Sequence, residues 1–203
     1  MEKAVALLSG GIDSPVAIHM MKDRLDIIAV HFHQKELTGE EEVDKVKKLI
    51  QILGVRKAYL VPFVNVLKHI TEKCRHENYY ILQKILMFQS AEKIAKLEGA
   101  GYLITGENLA QVSSQTLSNL TTITKNVQME IFRPVLTFDK QEIINKAKDI
   151  GTYDTSSGPE ICSLLGPKHP ATRSEVSTIG GELKNIDSGI IEKALSKVEI
   201  LEF

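Results

Sequence analysis

The sequence predicts an α/β fold with a doubly wound parallel sheet of five strands and a small helical extension at its C-terminal end. Short apolar runs alternate with longer segments of helical periodicity, an order that favours parallel strands covered by helices on both faces. Hydrophobic residues make up 43% of the 203 residues, which is enough for a packed core. No internal repeat interrupts the alternation. We therefore expect one domain over residues 1–170, extended by residues 171–203.

Five apolar runs are predicted to form the strands of this sheet. Each is short, rich in aliphatic or aromatic residues, and followed by polar or glycine-containing sequence. The five runs span residues 4–8, 26–32, 58–63, 102–105 and 131–135.

Helices are predicted between and after these strands from the spacing of apolar residues. Two of their ends carry clear signals. Gly54 is placed as a C-cap, because glycine readily adopts the left-handed conformation that ends many helices. Asp139 is placed as an N-cap, because its carboxylate can accept from the free amides of a first turn. The predicted helices cover residues 15–21, 39–53, 78–98, 139–148, 172–183 and 188–198.

Charge and cysteine content limit the classes of function. There are 25 basic and 26 acidic residues, whereas a protein that binds a nucleic-acid backbone unaided usually has a clear basic excess. Any RNA contact is therefore expected to be local or shared with another chain or domain. Two cysteines, Cys74 and Cys162, are too few for a disulfide framework or a cysteine-only zinc or iron–sulfur site. With no signal peptide and no membrane-spanning run, we expect a cytoplasmic protein without membrane association.

The most informative segment is SGGIDS at residues 9–14, between the first strand and the first helix. Two adjacent glycines let the backbone turn sharply and approach an anion, and a helix N-terminus adds partial positive charge. The hydroxyls of Ser9 and Ser14 add hydrogen-bond donors. Asp13 is unusual beside phosphates, because a carboxylate repels them unless a cation such as Mg²⁺ bridges the two. The Walker A loop and the dinucleotide-binding fingerprint are both missing from the sequence.

The SGGxDS pattern resembles the signature of the PP-loop ATP pyrophosphatases, which have the adenine nucleotide alpha hydrolase-like fold. These enzymes split ATP between its α and β phosphates, adenylate an oxygen on a substrate, and release pyrophosphate. Within this class the chain resembles the ThiI family of tRNA 4-thiouridine synthetases, which are also linked to thiamine biosynthesis. The resemblance covers roughly residues 3–175. It rests on LLSGGIDSPVA at 7–17, HFH at 31–33, TGE at 105–107, QVSSQTL at 111–117, RP at 133–134, DK at 139–140 and IGTY at 150–153.

The resemblance implies an ATP site at the carboxyl ends of the strands, where open α/β sheets bind ligands. Phe32 can cover the purine, Gly106 lets the chain pass close to the nucleotide, and Gln115 can hydrogen-bond it. For His31 and His33 we expect structural or backbone roles, one ring inward and one solvated, and no acid–base catalysis. The implied nucleotide-binding residues are Leu7, Leu8, Ser9, Gly10, Gly11, Asp13, Ser14, His31, Phe32, Lys84, Gly106 and Gln115.

Three residues are implied in the chemistry itself. Asp13 would hold Mg²⁺, and Lys140 would stabilise charge on the leaving pyrophosphate during adenylation. Cys162 would take part in sulfur transfer, since a thiol in a polar loop can form a thiolate or a persulfide. The alternatives are an exposed lysine at a capped helix start for Lys140, and a buried, inert thiol for Cys162.

The sequence departs from the family pattern in two respects, the domains that capture tRNA and the charge of the long helix. ThiI proteins carry N-terminal ferredoxin-like and THUMP domains that capture tRNA, and we expect no room for them before the loop at residue 9. The long helix has Lys84 and Ile85 where the family usually has two arginines, so one positive charge is lost.

The leading hypothesis is an ATP-dependent sulfurtransferase that thiolates a uridine in tRNA, with help from another chain or domain. Its sulfur donor would be a persulfide carrier or sulfide, and a homodimer is an open alternative to a monomer. Two other functions also stay open. One is a PP-loop enzyme that adenylates a small molecule or a carrier protein, and the other is a nucleotide-binding subunit without chemistry of its own.

Overall fold

The structure is a computed structural model that describes residues 1–109, 115–158 and 164–203. Within these residues the sheet runs in the order β5-β4-β1-β2-β3-β6. Strands β1 to β5 pair in parallel, which confirms the predicted parallel sheet, and β6 is added antiparallel to β3. The strands are β1 (Lys3–Leu7), β2 (Asp26–His33), β3 (Lys57–Pro62), β4 (Tyr102–Ile104), β5 (Glu130–Phe132) and β6 (Glu199–Glu202).

Strand β6 was not predicted, because the sequence after residue 171 was expected to form helices only. The strand has four residues, which is too few to show an alternation of apolar and polar side chains. Its conformation is therefore decided by pairing along the edge of β3. Lys57 of β3 also forms ion pairs at this edge. Its ammonium lies 2.8 Å from Glu98 Oε1 and 3.4 Å from Glu202 Oε1.

The helices follow the predicted order with four additions in the described residues, α2, α4, α6 and α8. Helix α4 begins after β3, and no described side chain caps it. Its signal in the sequence is the spacing of its buried residues, Val64, Val66, Leu67 and Ile70. The helices are α1 (Asp13–Met21), α2 (Lys35–Thr38), α3 (Glu41–Leu53), α4 (Val64–Lys73), α5 (Tyr79–Glu98), α6 (Leu117–Lys125), α7 (Lys140–Asp149), α8 (Tyr153–Ser156), α9 (Val176–Leu183) and α10 (Ile190–Leu195).

Both predicted helix-end signals are confirmed. Gly54 ends α3 with a left-handed backbone, at φ 70°. Asp139 caps α7 in a reciprocal capping box, in which its carboxylate accepts from the Glu142 amide at 2.8 Å and Glu142 Oε2 accepts from the Asp139 amide at 2.8 Å. The start of α7, and hence the place of Lys140, is therefore set by local sequence.

Helices cover both faces of the sheet, as the doubly wound prediction requires. Alternate residues of β1 belong to different cores. Val5 belongs to the core that includes buried residues of α4, α5, α9 and α10, while Ala4 and Ala6 belong to the core that includes buried residues of α1, α3 and α7. Among the helices of the described residues, none combines the length and the hydropathy needed to span a bilayer.

Candidate active site

A cleft of about 590 Å³ opens at the carboxyl end of β1 and its two neighbours. Strands β2 and β3 follow β1 on one side of the sheet, and β4 and β5 lie on the other. The loops that leave these strands diverge at such a switch point, which is where open α/β sheets bind ligands. The cleft is lined by many of the predicted site residues: Leu7, Leu8, Ser9, Gly11, Asp13, Ser14, His31, Phe32, Lys84, Gly106, Gln115 and Lys140.

The loop at residues 9–14 is closed by its own two serines. The Ser9 amide donates to Ser14 Oγ at 2.9 Å, and the two hydroxyl oxygens lie 3.0 Å apart. The Gly11 amide donates to Ser9 Oγ at 3.3 Å. Helix α1 begins at Asp13 without a cap from any described side chain. Because Pro15 has no amide hydrogen, Asp13 and Ser14 supply the first-turn amides, and no described side chain accepts from them as a cap, which is the arrangement that the sequence predicts for an anion site.

Gly106 is required by the contact between β4 and α1. A Cβ atom at this position would lie 2.5 Å from Ser14 N and 2.6 Å from Ser14 Cα, closer than real Cβ atoms come. We had expected Gly106 to make room for the nucleotide. The structure gives a further reason, since the loop after β4 passes directly against the first turn of α1, and Gly106 also lines the cleft.

Gly10 is not among the residues that line the cleft, and a side chain at this position would point towards α3. A Cβ atom on Gly10 would lie 3.0 Å from Lys45 Cδ. Lys45 in turn donates through Nζ to the carbonyl oxygen of Ser156 at 3.1 Å. This glycine therefore lets α3 pack against the loop that follows β1.

Asp13 and Lys140 meet across the cleft. Lys140 Nζ lies 3.4 Å from Asp13 Oδ1, and the side chains are 54% and 24% exposed, respectively. Both groups remain accessible to a ligand at these exposures. Lys140 therefore does more than extend into solvent from a capped helix start, because its ammonium reaches the loop at residues 9–14.

A second ionic cluster lies beneath the cleft, and the sequence reasoning gave its central residue no role. Glu107, directly after Gly106, has a fully buried side chain. Its Oε2 accepts from Arg133 Nε at 2.9 Å, and its Oε1 lies 3.5 Å from Lys84 Nζ. The signal available in the sequence was its position in the TGE segment, immediately after a buried strand.

His31 is a structural residue of the cleft wall. Its ring is buried, and Nδ1–H donates to the carbonyl oxygen of Leu8 at 2.9 Å. Burial lowers the pKa of His31 to about 4, despite this hydrogen bond, so the ring is neutral near pH 7. Its Nε2 lies 3.8 Å from Glu42 Oε1, and burial raises the pKa of that carboxyl group.

The prediction that one of the two rings, of His31 or His33, is solvated is wrong. Residues two apart on a strand share a face, so both rings lie on the same side of β2, and both are buried. Burial also lowers the pKa of His33. Neither imidazole is arranged as a proton donor at neutral pH.

Gln115 is held in place by the loop after β4. Its Oε1 accepts from the Asn108 amide at 3.1 Å, and Asn108 Nδ2 donates to the carbonyl oxygens of Val135 at 2.8 Å and Phe138 at 2.6 Å. The carboxamide nitrogen of Gln115 is then the group that can donate to a ligand. Lining residues that the sequence reasoning did not single out are Val30, Gln34, Glu42, Tyr80, Gln83, Met87 and Thr105.

The structure describes only one of the two cysteines. Cys162 lies outside the described residues. Cys74 is partly buried with Sγ 3.7 Å from the carbonyl oxygen of Glu182, and burial raises its pKa to about 11, so it stays a thiol at neutral pH. In residues 1–109, 115–158 and 164–203, no three His, Cys, Asp or Glu side chains are grouped to hold a metal ion.

Comparison with known proteins assigns the family. The family model described as "Thiamine biosynthesis protein (ThiI)" matches residues 1–187. The chain belongs to the ThiI family. A "Probable tRNA sulfurtransferase" from Moorella thermoacetica is 39% identical over 207 residues, which cover 98% of this ThiI-family chain and 53% of the relative. One from Macrococcus caseolyticus is 40% identical and covers 98% and 52%. The chain thus spans about half the length of the curated relatives it matches.

Solved structures agree with the fold of this ThiI-family chain. A structure described as "Crystal structure of a 4-thiouridine synthetase - RNA complex with bound ATP" matches with a TM-score of 0.92 and 37% identity, covering 99% of this chain and 55% of that one. An NH3-dependent NAD synthetase from Campylobacter jejuni matches at a TM-score of 0.58 and 14% identity, covering 96% and 84%. The second similarity concerns the fold alone.

Proposed function

We propose that this chain is the ATP-binding and adenylating part of a tRNA sulfurtransferase, which converts a uridine of tRNA into a thiouridine. The observation that carries the proposal is the convergence of the 9–14 loop, the open start of α1 and the Asp13–Lys140 pair in one cleft. The names of the ThiI-family relatives, and the ATP and RNA named for the similar 4-thiouridine synthetase, support it.

In the proposed first step, the carbonyl oxygen of the uridine attacks the α-phosphorus of ATP. A new oxygen–phosphorus bond forms, the bond to the β-phosphate breaks, and pyrophosphate leaves. The first-turn amides of Asp13 and Ser14 donate to phosphate oxygens. Lys140 places a positive charge where negative charge grows on the leaving group, which is the kind of stabilisation that lowers such barriers most.

Asp13 is the residue that would hold Mg²⁺. Its carboxylate is accessible in the cleft, beside the loop proposed to take the phosphates. Mg²⁺ is commonly bound by one or two carboxylates completed by phosphate oxygens and water, so this single carboxylate suits the ion. When bound, Mg²⁺ would neutralise charge on the phosphates. Without it, the Asp13 carboxylate would repel them.

In the proposed second step, sulfur replaces the activated oxygen, with Cys162 as the transferring residue. The terminal sulfur of a persulfide on Cys162 attacks the carbon that carries the adenylate, and AMP leaves. A thiol reductant then cleaves the sulfur–sulfur bond and frees the thiouridine. Cys74 does not suit this role, because it does not line the cleft and burial raises the pKa of its thiol.

The proposed partners are tRNA and a sulfur donor, met in the cytoplasm. The formal net charge of −1 gives the chain little general attraction for a polyanion. We therefore propose that another domain or chain contributes to tRNA capture. A persulfide carrier would supply sulfur to Cys162.

The test is a reconstituted reaction of the chain with ATP, Mg²⁺, unmodified tRNA, a cysteine desulfurase with cysteine, and dithiothreitol. We expect AMP, pyrophosphate and thiouridine to form together. Cys162→Ser should keep pyrophosphate release and lose thiouridine, while the matched control Cys74→Ser should keep both. If AMP formation does not depend on tRNA but increases with a small metabolite, that metabolite and not tRNA is the acceptor. Formation of no AMP at all, at tRNA concentrations high enough to offset weak capture by this chain alone, would contradict the proposed function.

A further inference from the structure

Glu107 is a buried carboxylate with two cationic partners. Its side chain is fully buried just after β4, where an unpaired charge is strongly unfavourable. Arg133 Nε donates to Oε2 at 2.9 Å, and Lys84 Nζ lies 3.5 Å from Oε1. Two cations therefore share one carboxylate, and one positive charge of the cluster remains uncompensated.

The two cations differ in what else they contact. The Arg133 guanidinium is committed to the protein, since its terminal nitrogen also donates to Thr124 Oγ1 at 2.9 Å. Lys84 lines the cleft and is 28% exposed. Glu107 Oε1 accepts no hydrogen bond from any described residue, so it holds Lys84 by charge at ion-pair distance. The three ammonium hydrogens of Lys84 thus stay available to a ligand.

Resting on the proposed function, we propose that Glu107 is a positioning residue, which fixes the Lys84 ammonium at the cleft wall where it meets the polyphosphate of ATP. A lysine side chain has four rotatable bonds, so binding a ligand with a disordered lysine costs conformational entropy. Holding the ammonium beforehand lowers that cost. Arg133 allows this arrangement, because it compensates Glu107 without taking Lys84's place.

Removing the charge of Glu107 sets two effects against each other. By Coulomb's law alone, loss of a negative charge beside a phosphate site strengthens ATP binding. Loss of positioning weakens it. Glu107→Gln therefore gives opposite signs for a merely electrostatic role and for the proposed one.

The experiment measures KM for ATP and kcat for AMP formation in Glu107→Gln, Lys84→Met and the double variant. We expect each single substitution to raise KM by about tenfold, and Glu107→Gln to add nothing in the Lys84→Met background, because it acts through Lys84. The matched control is Glu92→Gln. Glu92 is also buried, but it accepts from the amides of Gln128 and Met129 and does not line the cleft.

An unchanged or lower KM in Glu107→Gln, or additive effects in the double variant, would overturn the proposal. If Glu107→Gln does not fold, Glu107→Asp replaces it, since the shorter carboxylate keeps a charge for Arg133 and withdraws from Lys84. Its KM increase must then vanish in the Lys84→Met background. AMP formation by the unaltered chain separates the outcomes, because its loss contradicts the proposed function itself.

Discussion

Lys140 Nζ lies 3.4 Å from Asp13 Oδ1, so the first residue of α7 contacts the first residue of α1. A carboxylate at the start of a helix is favoured by the helix dipole, whereas an ammonium there is disfavoured. Lys140 thus departs from the preference for acidic side chains at a helix start, whereas its neighbours Asp139 and Glu142 follow it. Residues that break local rules without a gain in stability are typical of functional sites.

Lys140→Gln is expected to lower kcat for AMP formation by about 100-fold, in the range typical for removal of one group that stabilises a transition state. The unfolding free energy should stay the same or rise by a few tenths of a kcal/mol, because an unfavourable cation leaves the helix start. Steady-state kinetics and urea unfolding check both. Lys146→Gln on the same helix is the control, and an equal loss there would count against a specific role for Lys140.

Gly106→Ala is expected to destabilise the chain by about 1–3 kcal/mol, because the new Cβ atom would overlap Ser14 and displace the start of α1. ATP binding should weaken in parallel, since the same turn supplies the amides for the phosphates. Gly101→Ala, before β4, is the matched control, because its Cβ atom meets nothing within 4 Å. Urea unfolding and calorimetric titration with ATP measure the two effects. Equal stability of the two variants would contradict the packing account.

His31 is expected to make the chain less stable as the pH falls from about 6.5 to about 4. Its pKa is about 4 in the folded chain and near 6.5 when exposed, so the unfolded state binds more protons across this window. Stability therefore rises with pH, by about 3 kcal/mol over the window for this one group.

Urea unfolding at several pH values checks the His31 prediction, with His31→Gln as the reference. A glutamine amide can still donate to the Leu8 carbonyl but does not titrate. The raised pKa of Glu42 acts in the opposite direction, and the comparison with His31→Gln separates the two contributions. The prediction fails if the two proteins lose stability equally on acidification.

Glu182 is expected to anchor α9 to the start of α5 without affecting the cleft. Its carboxylate accepts from Asn78 Nδ2 at 2.7 Å and from the Arg75 amide at 3.0 Å. Glu182→Ala leaves both donors without this partner and should cost about 2 kcal/mol or more. KM for ATP should not change. Glu175→Ala, just before α9 and exposed, should leave stability unaltered, and a similar loss there would argue against the anchoring role.

The parts of the fold that follow local rules could be predicted from sequence. The 9–14 loop, the C-cap at Gly54 and the capping box at Asp139 depend on neighbours within a few residues, and these features hold in the structure. Strand β6 depends on the free edge of β3 and carries no signal of its own.

In the candidate site, too, features of contiguous sequence could be predicted and contacts between distant elements could not. Residues of contiguous motifs, such as Asp13 and Gly106, were placed at the cleft by sequence. The contacts of Glu107 with Lys84 and Arg133 join residues from α5, the end of β4 and the end of β5, and no spacing in the sequence reports such a meeting. The packing of Gly106 against α1 was also missed, because it depends on how the loop after β4 approaches that helix. The role of Cys162 stays a prediction.

The most direct measurement is the fate of ATP labelled at its α-phosphate, incubated with the chain, Mg²⁺ and unmodified tRNA. The account predicts labelled AMP with one pyrophosphate for each AMP, and no AMP from Asp13→Asn. Labelled ADP with inorganic phosphate, or AMP from Asp13→Asn at the rate of the unaltered chain, would contradict it.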